Sequence, residues 1–393
     1  MFASDRLGNI KKMIKVAQPF VGTEEVKAVT KVLLSGRYVS GTMVEEFERR
    51  FAEYIGTKYA VAVNSGTAAL HLALAILDIR VNDEVIVPPL TFFSTISAVF
   101  HQAATPVFSD VNLENYCIDP KSIKSQISNR TKAIIPVHLY GNSADMDSII
   151  KIAKKYKLKV IEDAAQAHGT EYKGRKVGSI GDIGCFSFFA TKHMTTGEGG
   201  MIVTNNKKWA NLAKIMRNHG MTDRCRHDYL GYNYRMTEIA AVMGIAQLKK
   251  LDRLNTKRIK NSFYLINRLN TFNISWLKTP KLSKHIKHTF FWCPILIDEE
   301  KLGMNTKNLI KILAQKNIET RHRYWQPLYR QKMLTRMKKG YSGVYLRNSE
   351  KIAGRIIGLP NHAGLTKKDL DYTVRTLKDI RYAVNNKEGK CVF

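Results

Sequence analysis

From residue 58 onward the chain alternates short apolar runs with amphipathic segments. The runs occupy residues 59–63, 84–87, 106–111, 133–137, 158–161, 184–188 and 201–204, and the segments 68–77, 148–156 and 209–217 between them repeat their apolar positions with helical period. Runs that are apolar at nearly every position belong to strands buried on both faces, and strands separated by helices pair in parallel. The pattern therefore predicts an α/β domain built on a mainly parallel sheet, with its chemistry gathered just past the carboxyl ends of the strands. After Thr237 a helical period runs through Ile239, Val242, Ile245, Leu248 and Leu251 and resumes at Phe263, Ile266 and Leu269, which predicts a long connecting helix. Beyond about residue 255 the pattern becomes a basic α+β mixture: an apolar run at 290–297, a helix near 307–315, and Leu359-Pro360 before a last helix from Lys367. The expected organisation is a large domain over residues 1–254 and a smaller C-terminal one over 255–393.

Composition narrows the class. The 393 residues are 44% hydrophobic with only 25 Gly and 10 Pro, which excludes wholesale disorder and collagen-like chains. Cysteines at 117, 185, 225, 293 and 391 are odd in number and form no C-x-x-C pair, so neither a disulfide framework nor a spaced zinc site is expected. The first residues carry Arg6, Lys11, Lys12 and Lys15 without an apolar segment, and Cys391 stands third from the end where prenylation needs it fourth. A cytoplasmic protein is expected. The net charge of +30 is concentrated, since 39 of 63 basic but only 13 of 33 acidic residues fall in 201–393. A nucleic-acid or acidic-membrane surface is one reading of that half, an anionic substrate another. The lysines are dispersed along helical stretches without interleaved aromatics, the pattern of a solvated surface.

The strand ends hold the candidate chemistry. After the first run comes Asn64-Ser65-Gly66-Thr67, a small-residue turn opening a helix; free N–H groups there suit a phosphate, though an ordinary capped helix reads the same way. After the second, Phe92 offers a face on which a flat ring stacks, or simply core. After the fifth, Asp163 is an acid at the end of a buried strand and needs a cation or strong donor. His168 reads as a structural histidine. After the sixth, Lys192 lies between an aromatic strand and the turn Gly197-Glu198-Gly199-Gly200, where a desolvated amine can act as a nucleophile and form a Schiff base. Anion cradle, ring stack, strand-end acid and loop lysine are together the parts that hold pyridoxal phosphate.

With these fragments in this order, and with Ser40-Gly41, 136–141 (Pro-Val-His-Leu-Tyr-Gly), 162–169 (Glu-Asp-Ala-Ala-Gln-Ala-His-Gly), Arg217-Asn218-His219-Gly220 and 231–236 (Gly-Tyr-Asn-Tyr-Arg-Met), the chain resembles the DegT/StrS-type sugar aminotransferases from about Gln18 to Thr366. The resemblance implies the aspartate aminotransferase fold (fold type I), with a mostly parallel seven-stranded sheet. It implies Lys192 as the Schiff-base lysine, Asp163 on the pyridine nitrogen, Gln166 on the ring hydroxyl, Phe92 stacked on the ring, and Gly66, Thr67 and Ser187 on the phosphate. Asn233 matches a position that reaches the neighbouring subunit's phosphate, so a homodimer with shared sites follows. The implied reaction passes an amine, usually from L-glutamate, to a keto group of a nucleotide-linked sugar. Arg217, His219, His322 and Tyr324 are the candidates for the sugar side, the last two within the basic and aromatic stretch 321–328.

Other readings stay open. A keto-cyclitol aminotransferase would carry the same cofactor motifs, and a nucleic-acid-binding regulator on the same scaffold would use the basic half. One branch of the resembled family carries His for the Schiff-base lysine and works as a dehydratase; His193 adjoins Lys192, but Lys192 follows Ser187 by five residues, the spacing of the aminotransferase branch. The cysteine spacing does not suit an iron–sulfur cluster.

Overall fold

The computed structural model describes residues 13–39, 41–322, 324–337 and 341–385; Ser40, Arg323 and Cys391, and the basic Arg6, Lys11 and Lys12, lie outside them. The seven apolar runs become the seven strands of one sheet: β1 (Tyr59–Val63), β2 (Glu84–Val87), β3 (Thr105–Phe108), β4 (Thr131–Ile134), β5 (Lys159–Asp163), β6 (Ile183–Ser187) and β7 (Gly200–Thr204). Their order is β1-β7-β6-β5-β4-β2-β3. Pairings among β2 to β6 are parallel, and β7 alone runs opposite to its neighbours β1 and β6.

Alternate residues of each strand enter different cores, which explains the unbroken apolar runs. Ile86, Val160, Phe186 and Met201 join Phe47 and Phe51 of the helix Thr42–Ile55 on one face. Val85, Ile161, Cys185 and Ile202 join Leu70, Leu72 and Leu74 of the helix Gly66–Ile76 on the other. Both faces are dry, so the sheet has no solvent side on which polar residues would alternate.

The long helix spans Glu238–Thr271 without a break, and the expected boundary at 254/255 falls inside it. Its first half packs on the large sheet through Ala241 and Leu251, while Leu265, Ile266 and Leu269 enter a second core. That core covers a three-stranded antiparallel sheet of β8 (Leu277–Lys278), β9 (Cys293–Ile297) and β10 (Ile356–Leu359). Not all of 255–393 stays with it. Leu328, Tyr329, Leu334 and Tyr341 lie in the core of the large domain, and Asp110 accepts hydrogen bonds from the backbone N–H groups of Asn348 (2.8 Å) and Ser349 (2.9 Å). The segment from Leu328 to Ser349 is thus tied down on the large domain. No helix of the described residues is long and apolar enough to cross a membrane.

One carboxylate joins the start of the long helix to the start of Thr42–Ile55. Gly41 caps that helix without a side chain, and the buried Glu238 accepts from the N–H groups of Gly41 (2.8 Å), Met43 (3.1 Å) and Val44 (3.0 Å). These are donors that a helix start otherwise leaves unpaired. Glu238→Ala is expected to lower unfolding stability by about 2 kcal/mol, read by urea denaturation of the whole chain, with the m-value unchanged.

Candidate active site

The loops after β1, β2, β5 and β6 emerge at the same end of the sheet because those strands run the same way. After β1, Ser65 caps the helix Gly66–Ile76 by accepting from the Ala68 N–H (3.1 Å), so the helix points its remaining N–H groups outward from the strand end. Gly66 lies against the end of β6: a Cβ there would come within 2.7 Å of the Ser187 Cβ. Thr67 and Ser94 share a hydrogen bond of 2.7 Å between their hydroxyls. Two hydroxyls, a third from Ser187 and a helix N-terminus thus surround one point, a donor set suited to a phosphate.

Asp163 ends β5 and is 6% exposed. Its Oδ2 accepts from Thr95 Oγ1 (2.9 Å) and its Oδ1 from the Ala165 N–H (3.2 Å). Burial raises its pKa above the ordinary carboxylate value, against the opposing pull of Thr95, Ala165, Lys192 and His138. The preceding Glu162 faces the other way and is fully sealed. Burial works against its charge too, but His138 Nε2 (2.9 Å) and the N–H groups of Gly181 (2.6 Å) and Gly178 (2.7 Å) bring its pKa below normal, and the Ile180 N–H donates to it as well (2.6 Å). Glu162 is therefore a satisfied structural charge, and Asp163 is the acid that still calls for a cation.

Gln166 is buried in one orientation. A backbone N–H can only donate, so the bond from Tyr140 N (3.1 Å) identifies Oε1, and Nε2 then donates to the Tyr324 hydroxyl (3.0 Å). Lys192 Nζ lies 5.0 Å from the centroid of the Phe291 ring. These residues line one cavity of about 340 Å³, within the range of small-molecule sites. Of the residues the sequence proposed, Gly66, Thr67, Phe92, Asp163, Gln166, Ser187, Lys192 and Tyr324 all line it; Phe92 stands at its rim, 53% exposed. His193 does not line it. That ring is 2% exposed and packs between His168 (5.5 Å between centroids) and Phe291 (5.6 Å), and burial drives its pKa well down. His168 is equally sealed, its pKa lowered by burial to about 3.

Four proposed residues lie elsewhere. Arg217 is taken up by a buried structural pair, donating to Glu48 and to the Ala62 carbonyl (2.7 Å). His219 is exposed, with φ +60°, and its carbonyl is held by His227 Nδ1 (2.9 Å). Asn233 is exposed, with its carbonyl accepting from Asn64 Nδ2 (3.2 Å). His322 lines an adjoining groove of about 520 Å³ that shares Thr91, Phe92 and Tyr324 with the cavity and continues to Trp325. Its Nε2 carries the hydrogen, since it bonds to the Gly354 carbonyl at 2.6 Å. The sequence reading missed Glu198, Phe291 and Trp292 among the lining residues. Phe291 and Trp292 come from the loop just before β9 and pack into the core of the large sheet, where nothing local marks them.

A model of the DegT/DnrJ/EryC1/StrS aminotransferase family matches residues 19–378. The chain belongs to that family. GDP-perosamine synthase of Escherichia coli O157:H7 is 37% identical, over 94% of this chain and 98% of that one. The aminotransferase from Psychrobacter cryohalolentis has a TM-score of 0.89 at 34% identity, covering 94% of this chain and 99% of that one. A Streptococcus pneumoniae chain described as a sugar aminotransferase, solved in a PLP-form and a PMP-form, gives TM-scores of 0.85 and 0.86 at 27% identity, with 95% of this chain and 99% and 98% of those covered. This chain is thus a sugar aminotransferase of fold type I, and the family's cofactor is pyridoxal phosphate. The residues here fit that group: a glycine turn closed to any side chain, hydroxyls suited to a phosphate, a sealed acid suited to a pyridine nitrogen and an amine lining the same cavity.

The Gly66 approach provides a test. Gly66→Ala is expected to weaken binding of pyridoxal phosphate roughly tenfold or more, measured by absorbance titration, because Ser187 at the strand end has to move. The far-ultraviolet circular dichroism is expected to stay as in the wild type.

Proposed function

We propose that this chain transfers an amino group from L-glutamate to the keto carbon of a nucleotide-linked keto-deoxysugar, working as a cytoplasmic homodimer. The observation that carries the reading is the placement of Lys192 and Asp163 in one cavity, with the groove past Phe92 and Tyr324 leaving room for a substrate larger than the amino donor. GDP-perosamine synthase among the relatives supports a nucleotide-linked sugar.

Bound pyridoxal phosphate supplies an aldehyde that captures amines and a ring that spreads the electron pair left when a proton leaves the adjoining carbon. Asp163 holds the proton on the pyridine nitrogen, and Thr95 orients that carboxylate. Gly66, Thr67 and Ser187 hold the phosphate, Gln166 meets the ring hydroxyl and Phe92 covers a ring face against water. With the cofactor in place Lys192 would hold its aldehyde end, and the Lys192 amine would take the proton from the donor α-carbon and return one to the former keto carbon of the acceptor, as general base and then general acid. His322 and Tyr324 face the sugar side. Asn233, exposed beside Asn64, serves the phosphate of a second subunit. The half-exposed and exposed Tyr38, Val39 and Leu230 fit a surface covered by that subunit. His193 packs away from the cavity, which disfavours the dehydratase reading.

The purified chain with pyridoxal phosphate is expected to show the absorbance of a lysine-bound cofactor, which L-glutamate bleaches to the amine form; Lys192→Ala is expected to abolish both. Loss of neither would sink the assignment of Lys192. Asp163→Asn is expected to retain the cofactor but slow the bleaching roughly 100-fold or more. A panel of nucleotide-linked keto sugars and keto-cyclitols, assayed by mass spectrometry for the aminated product, decides the acceptor, and turnover of cyclitols alone would overturn the sugar reading.

A further inference from the structure

The turn that carries Lys192 closes largely on itself. The Lys192 N–H donates to the Phe189 carbonyl (2.9 Å), the Thr196 N–H (2.9 Å) and the Thr195 hydroxyl (3.1 Å) both donate to the Phe188 carbonyl, and the Gly197 N–H donates back to the Thr195 hydroxyl (2.9 Å). Outside contacts hold it by packing, with the His193 ring between His168 and Phe291 and Met194 in the large core, and its backbone is further fixed only where a hydrogen bond reaches it from outside. The Thr195 N–H is gripped from outside, by Oε1 of Gln247 at 3.3 Å.

Gln247 sits on the long helix, 1% exposed. Its Nε2 donates to the Phe20 carbonyl and to Glu25 Oε1, each at 2.8 Å. The amide cannot be reversed: a backbone N–H on one side only donates and a backbone carbonyl on the other only accepts. Glu25, itself 1% exposed, takes the Gly22 N–H on its other oxygen (2.7 Å) and pairs with Lys250, three residues beyond Gln247. Burial works against the Glu25 charge, yet Lys250, Gly22 and Gln247 hold its pKa below the ordinary value, so it is an anion that the amide can donate to. One side chain therefore joins three separate parts of the chain: the segment entering the helix Thr23–Ser35, the long helix, and the lysine turn.

We propose that Gln247 is a positioning residue for Lys192, and that through it the docked N-terminal helix is a working part of the site. The inference rests on the reading of Lys192 as the cofactor-bearing amine. Gln247 touches no reacting atom; it acts by fixing where Thr195, and with it the turn, stands. Removing the amide strips a partner from the Thr195 N–H, the Phe20 carbonyl and Glu25 together, and Thr195 and Glu25 are buried, where water does not replace it. A shift of an ångström in a reacting group costs up to about 100-fold in rate, so a loosened turn is visible in chemistry before it is visible in the fold.

The labelling uses the full chain freed of cofactor, and the half-reaction uses the same protein with pyridoxal phosphate restored. Lys192 is labelled with a neutral amine-reactive ester over about pH 7 to 10 and its rate read by peptide mass spectrometry against surface lysines, in the wild type, Gln247→Leu, Gln247→Glu and the pair Glu25→Gln/Gln247→Glu. Gln247→Leu is expected to change the Lys192 rate relative to the surface lysines by roughly tenfold and to slow the L-glutamate half-reaction by a similar factor, with KM for the donor nearly unchanged. Gln247→Glu keeps an acceptor for Thr195 but sets two carboxylates face to face; the pair restores an amide–carboxylate contact and is expected to recover most of the wild-type behaviour. Should Gln247→Leu not fold, this single and double comparison carries the test. Wild-type labelling and half-reaction in a Gln247→Leu protein that has merely lost melting temperature would overturn the inference, leaving Gln247 as an anchor for the helix. Protection of wild-type Lys192 by added pyridoxal phosphate probes the underlying reading separately: its absence overturns that reading and the inference with it, while its presence beside an unaltered variant overturns the inference alone.

Discussion

A carboxylate sealed inside an apolar sheet has to be answered by positive charge or strong donors, and the active end of this molecule is arranged around that requirement. Glu162 and Asp163 are consecutive on β5 and so point to opposite faces. The demand of Glu162 is met within the chain by His138 and three backbone N–H groups. That of Asp163 is met only in part, by Thr95 and one N–H, and burial still raises its pKa. These two adjacent acids differ in how completely the fold satisfies each.

Sheet direction does the gathering. The carboxyl ends of β1, β2, β5 and β6 deliver the phosphate turn, Thr91 and Phe92, the acid and Ser187 to one edge. Because β7 runs opposite to β6, the return from that edge takes only residues 188–199, which hold Lys192 and the glycines 197 and 199. The packing there leaves no slack: a Cβ on Gly200, the first residue of β7, would fall 2.2 Å from the Ser65 carbonyl oxygen.

All seven strands of the large sheet were legible, because strands buried on both faces write continuous apolar runs. Gly66, Thr67, Phe92, Asp163, Gln166 and Ser187, which line one cavity, were legible as candidates too, since each ends or follows one of those runs directly. Residues brought in from a distance were not. Phe291 and Trp292 read as part of an apolar run like any other, and Gln247 as a polar interruption of a helix; their partners are 52 or more positions away for the latter and across two sheets for the former. Arg217 shows the converse limit, since its motif suggested substrate while Glu48, 169 positions earlier, claims it. The return of the segment around Leu328 and Tyr341 to the large domain was likewise invisible to local pattern, which records burial but not against what.

The long helix has a mechanical consequence. Its 34 residues make a rod of about 51 Å, seated in the core of the large sheet at one end and in that of the smaller sheet at the other. A rod shared by two bodies does not permit a free hinge between them; it bends as a spring or it moves whole. Motion of the smaller sheet relative to the cavity is therefore limited to slight flexing, and Phe291 and Trp292, which precede β9 and pack in the core of the large sheet, behave as part of a rigid vessel and not as a swinging door.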